Sequence, residues 1–159
     1  MLNNQKKRQS GFTIIEVLIV LAIAGLIMLV VFLAVPALQR NSRNTQRKSD
    51  ISAILGAVQE YTDNNQGTLP ATAASFNAAF TTAQPKLGYY TTAANVTWTL
   101  QTTATAPTDP NSLDKVKVVN YAKCNGNAAT ATGATARSII VLYDVEGSGG
   151  SLVPQCQES

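Results

Sequence analysis

Residues 17–38 read VLIVLAIAGLIMLVVFLAVPAL, a run without a single charged side chain. About 20 apolar residues at a rise of about 1.5 Å each match the roughly 30 Å hydrocarbon core of a bilayer, so the run is predicted to be a transmembrane helix. Gly25 and Pro36 interrupt it. Both residue types are tolerated in such helices, and Pro36 is expected to kink or thin this one near its outer end. A cleaved secretory signal is the rival reading, because Lys6, Lys7 and Arg8 precede the run and Ala34 and Ala37 are small. The apolar core of such a signal spans roughly 7–15 residues, and this run is longer.

Charge is distributed unevenly around the run. Three basic residues lie before it, and Arg40, Arg43, Arg47 and Lys48 follow it, so the positive-inside rule leaves orientation undecided. From Ser49 onward five basic residues face eight acidic ones, which gives about −3 although the whole chain carries +3. Bulk charge therefore argues against a basic nucleic-acid-binding domain. The 159 residues suit one domain plus some extended structure. Histidine is absent, which removes the commonest general base and the commonest metal ligand. The two cysteines, Cys124 and Cys156, lie in the polar part. An even count behind an export-type N-terminus points to one disulfide made in an oxidising compartment, with two unpaired buried thiols as the alternative.

At the head of the apolar run stands Glu16, preceded by Phe12, Thr13, Ile14 and Ile15. A carboxylate inside a membrane helix costs on the order of 2.5–3.5 kcal/mol on insertion scales, and less near the interface. Read alone, Glu16 is a solvated side chain at headgroup level. Its surroundings say more. Residues 6–29, KKRQSGFTIIEVLIVLAIAGLIML, resemble the N-terminus of type IV prepilins and of their relatives, the type II secretion pseudopilins and competence pilins. The matching elements are the short basic leader, Gly11 before the cut, Phe12 after it, Glu16 four positions beyond Phe12, and the apolar stretch behind. The resemblance is close over residues 6–38 and only architectural beyond.

That resemblance implies cleavage between Gly11 and Phe12 by a membrane aspartyl prepilin peptidase, followed by N-methylation of Phe12. Glycine suits the position before the cut, because its unbranched backbone can lie extended in a protease site. Cleavage creates an α-amine at Phe12, with an ordinary pKa of about 8, that can pair with Glu16 of a neighbouring subunit and set the axial register. The implied partners are copies of the chain and other pilins in a helical filament, the prepilin peptidase, the assembly platform with its ATPase, and the cytoplasmic membrane before assembly. The implied location is a single-pass cytoplasmic membrane protein with its head outside, then an extracellular filament serving adhesion, surface motility or DNA uptake. A pseudopilin of a type II secretion-like system and a membrane-tethered binding module that never polymerises are the alternatives. No cofactor, no metal and no catalytic residue is expected.

After the run, Ile51, Ile54, Leu55, Val58 and Tyr61 recur at spacings of three and four and mark one apolar helical face. Asp63 through Gly67 reads as a helix stop. One helix over residues 12–63, roughly 75–80 Å long, is expected. The expected organisation is a leader at 1–11, a transmembrane or filament-core helix at 12–38, its amphipathic continuation at 39–66, and a globular head at 67–159. The basic cluster that follows the run reads as a solvated collar between membrane and head, with anionic headgroups as the other candidate. Phe76 and Phe80 are expected to anchor a short helix, and residues 89–91, 96–101, 116–122 and 138–144 read as strands. Turns are expected at 107–111, at Asn125-Gly126 and at 147–151. A helix on a small antiparallel sheet makes the fold α+β, of type IV pilin-like form. Cys124 and Cys156 would tie the C-terminal tail to the sheet edge, as in the disulfide-bounded region of many pilins. Asp109, Asn111 and Asp114 lack the spacing of a calcium loop and read as an ordinary turn. Asn95-Val96-Thr97 forms a glycosylation sequon of a kind common by chance. No nucleophile elbow, phosphate loop or paired acid is present in the sequence.

Overall fold

The structure, a computed structural model, describes residues 11–83, 86–100 and 110–159. Its first element is helix α1, Ile14–Asn64, 51 residues long with Pro36 inside it. The start is set by Thr13 and the end by Gln66 and Gly67, whose φ values of 57° and 80° are left-handed. The Gly67 N–H donates to the Thr62 carbonyl at 2.8 Å, which satisfies one of the carbonyls that a helix end leaves open.

The chain divides into two compact units, Met1–Gln39 and Arg40–Ser159. In the first, every residue from 11 to 39 is exposed, including the large apolar side chains of Phe12, Leu18, Leu26 and Phe32. A continuous apolar surface of this extent requires lipid or protein against it. The helix is long and apolar enough to cross a membrane.

In the second unit the remainder of α1 packs on a four-stranded sheet of order β1-β2-β5-β6, formed by Val96–Leu100, Val116–Asn120, Ile139–Glu146 and Leu152–Glu158. Period-two alternation divides the sheet's side chains between two faces. Val116, Val118, Ile139, Val141 and Tyr143 join Ile51, Ile54, Leu55 and Val58 of α1. Val119, Ile140 and Leu142 face the other way and pack with Ala122, Ala129 and the half-buried Cys124 and Cys156. That second layer includes the hairpin of β3 (Lys123–Asn125) and β4 (Ala128–Thr130), which turns at Gly126 with φ 62°. Helix α2, Ala73–Ala83, starts at Thr72, whose hydroxyl accepts from the Ser75 N–H at 3.2 Å. It buries Phe76 and Phe80, and the Phe76 ring stacks on Trp98 at 6.5 Å between centroids.

Several sequence expectations need correction. Residues 89–91 are not a strand, because the N–H groups of Gly88, Tyr89 and Tyr90 all point at the Asp50 carboxylate and are lost to any ladder. The sheet is not wholly antiparallel. β1 pairs with β2 in parallel, while β2 with β5 and β5 with β6 run antiparallel. The hairpin β3–β4 and the edge strand β6 carry little strand signal in the sequence, since β3 and β4 are only three residues each and β6 contains Pro154. Proline is acceptable at a sheet edge because no ladder donor is needed there. Of the expected turn at 107–111, residues 107–109 lie outside the described residues; Asn111 is left-handed, with φ 48°.

Candidate functional site

Two constellations carry the functional residues, one in each unit. At the start of α1, Thr13 and Glu16 form a reciprocal cap. The Glu16 Oε2 atom accepts from the Thr13 backbone N–H at 2.8 Å and from the Thr13 hydroxyl at 2.7 Å, while the Glu16 N–H approaches the Thr13 Oγ1 at 3.4 Å. This is a capping box, and a carboxylate in the first turn also favours the positive end of the helix dipole. Phe12 and Gly11 lie outside the helix, both exposed, with Phe12 at 89%. The peptide bond between them is therefore in accessible, non-helical backbone, a conformation that a protease can bind extended. The cap role of Glu16 was legible in the Thr13-Ile14-Ile15-Glu16 spacing, which fits the capping-box pattern.

In the head, Asp50 is fully buried and accepts four hydrogen bonds. Its Oδ2 takes the Tyr89 and Tyr90 N–H groups at 2.6 and 2.9 Å, and its Oδ1 takes the Gly88 N–H at 3.0 Å and the Gln46 amide at 2.8 Å. One turn away, Arg47 is 1% exposed. Its guanidinium lies over the Tyr89 ring at 4.3 Å and donates to the Tyr89 hydroxyl at 2.8 Å. It also meets Glu146 Oε1 at 2.9 Å. Arg43 donates from Nε to the same carboxylate at 2.8 Å, and Asn44 exchanges a pair of 2.9 Å hydrogen bonds with the Glu146 backbone. The expected solvated collar is thus corrected for two of its four members. Arg43 and Arg47 are consumed in holding the end of β5 to α1, because burying Arg47 demands a counter-charge. This group contains no nucleophile paired with a base, and its geometry is that of a clamp.

The Arg43 hydrogen bond, working against partial burial and joined by Arg47, holds the Glu146 carboxyl at about 2. A carboxyl depressed in the folded state contributes stability that is fully present above its unfolded pKa of about 4.3 and is lost as pH falls through the folded value. Urea midpoints are therefore expected to drop between about pH 5 and pH 2, and Glu146→Gln should flatten that part of the profile. An unchanged slope in the variant would remove Glu146 from the explanation.

Cys124 and Cys156 are bonded, with Cα atoms 5.7 Å apart. The bridge joins β3 to β6 across 32 residues of chain, and a loop of that length is stabilised by about 3–4 kcal/mol in the chain-entropy picture. Among the described residues no group of three or more acidic or cysteine side chains is placed to hold a metal. Asp114 is occupied as the acceptor of the Tyr89 hydroxyl at 2.8 Å, and Asp109 lies outside the described residues. In the sequon, the Thr97 hydroxyl donates to the Val116 carbonyl at 3.1 Å.

The family model described as the prokaryotic N-terminal methylation motif matches residues 6–32. The chain is also similar to a protein of Aeromonas hydrophila named type II secretion system core protein G, with 41% identity over 66 residues. That match covers 39% of this chain and 44% of the relative, so the chain spans less than half of the relative's length in it. No solved structure matches significantly. Together the motif and the relative support the type IV pilin/prepilin family for this chain.

Proposed function

We propose, from the premise that this chain carries the N-terminus of the type IV pilin/prepilin family, that it is a precursor whose leader is removed after Gly11. Phe12 is then N-methylated, and the mature chain polymerises through α1 into a filament. The observation that carries this reading is the Gly11–Phe12 bond lying in exposed backbone immediately before the capped, exposed apolar start of α1, all within the matched motif. The helix serves first as a single-pass membrane anchor. Extraction into a filament then replaces lipid by other copies against the same apolar surface. The filament is either a type IV pilus or the pseudopilus of a type II secretion-like machine; the motif is common to both, and similarity to the core protein G relative supports the second equally.

Glu16 supplies the test. Its carboxylate has its Thr13 contacts through Oε2, and the Phe12 amine of a neighbouring copy is the cation that would offset its charge in an apolar filament core. Glu16→Ala is expected to leave cleavage and membrane insertion intact, read by mass spectrometry of the membrane fraction, while filaments recovered by shearing fall about tenfold or more. Normal filaments from the variant would refute the amine pairing.

A further inference from the structure

The outward face of α1 in the head contains three choices that its own chain does not explain. Gly56 lies in the helix interior, is exposed, and has nothing within 4 Å of where a Cβ would stand. Glycine there weakens the helix relative to alanine, with no close approach inside this chain to require it. Glu60 and Asp63 lie in the final two turns, where the helix dipole disfavours carboxylates, and the last turn holds no basic residue. On the same exposed side Lys48, unlike Arg43 and Arg47, takes no part in the Glu146 clamp. None of the Lys48, Glu60 and Asp63 side chains has a hydrogen-bond or ion-pair partner among the described residues.

We infer that this face is a contact between copies of the chain, in which Lys48 of one copy meets Glu60 and Asp63 of a parallel copy displaced along the helix axis. The inference rests on the polymer reading above. The two charged ends are 12 and 15 residues apart, so the displacement is about 18–22 Å at a rise of about 1.5 Å per residue. That offset brings the Asn41–Asn44 level of one helix beside Gly56 of the other, where a missing side chain lets two backbones approach. A heterologous contact of this kind does not close on itself, and repetition builds an open helical array. An anionic membrane surface accounts for Lys48 but repels Glu60 and Asp63, so a second copy fits all three charges and the glycine.

The test is charge reversal in the full-length chain, expressed with its assembly machinery. Lys48→Glu alone, and Glu60→Lys with Asp63→Lys, are each expected to lower sheared filament yield about fivefold or more, since like charges then face one another in every repeat. The triple exchange should restore yield to near the wild-type level. Gly56→Leu should reduce filaments while leaving the melting temperature of the detergent-solubilised subunit unchanged or raised. Failure of the triple exchange to rescue, or normal filaments from both reversals, would overturn the contact and leave the polymer reading standing. A wild-type chain that never enters filaments would overturn the polymer reading and this contact together.

Discussion

Gly11→Leu is expected to accumulate as uncut precursor, heavier than the mature chain by the leader of residues 1–11, with filaments absent. The structure gives the reason to attribute such a result to processing and to nothing else. Gly11 is exposed, has open space where a Cβ would stand, and does not adopt a left-handed φ. The folded chain therefore makes no demand for glycine at this position, in contrast to Gly126, whose φ of 62° in the β3–β4 turn does. A leucine at position 11 leaves α1, its Thr13–Glu16 cap and the head as they are, and alters only the shape offered to a peptidase. Intact-mass measurement of the membrane fraction distinguishes precursor from mature chain directly. Mature chain beginning at Phe12 in the variant would show that the cut does not depend on glycine at position 11.

The second large effect is on folding. Asp50→Ala removes a fully buried acceptor of three backbone N–H groups and of the Gln46 amide. Each buried donor left unsatisfied costs about 1–3 kcal/mol, partly relieved by local rearrangement, so a loss of about 3–5 kcal/mol is expected. That is a large share of the 5–15 kcal/mol by which ordinary domains are stable, roughly. The segment from Gly88 to Tyr90 should detach from α1 and take Tyr89 away from Arg47, which then lacks its aromatic face. Urea unfolding of the detergent-solubilised chain, followed by near-ultraviolet circular dichroism, measures the loss. Asp50→Asn keeps one acceptor oxygen and should fall between the variant and wild type. A midpoint for Asp50→Ala within error of wild type would show that the carboxylate does not organise the segment.

The contrast between Asp50 and Glu16 shows which parts of this molecule are legible in its sequence. Glu16 announces itself, since a lone carboxylate at the head of an apolar run is locally costly and its offsets from Gly11, Phe12 and Thr13 are fixed along the chain. Asp50 and Arg47 look like ordinary polar residues of a surface helix, and their burial depends on Tyr89, Asp114 and Glu146, some 40 to 100 residues away. The basic cluster has the sequence pattern of a solvated collar for the same reason. No local rule distinguishes a solvated Arg47 from one closed under a tyrosine ring. Strand β5 was visible because both of its faces are apolar, whereas residues 89–91, with their two tyrosines, carried a strand-like composition but spend their N–H groups on a side chain.

By itself the sequence determined the long apolar run, the Thr13–Glu16 spacing at its head, the amphipathic continuation through Ile51, Ile54, Leu55 and Val58, and the α+β class. These are features of hydropathy, period and short fixed offsets, and each is settled within a few turns of chain. Only the tertiary structure decided the parallel pairing of β1 with β2, the hairpin that covers the back of the sheet, the joining of Cys124 to Cys156, and the division of the cations into clamp and exposed surface. Those outcomes depend on which distant groups share the interior, where every buried donor and charge must find a partner and the chain order does not say which.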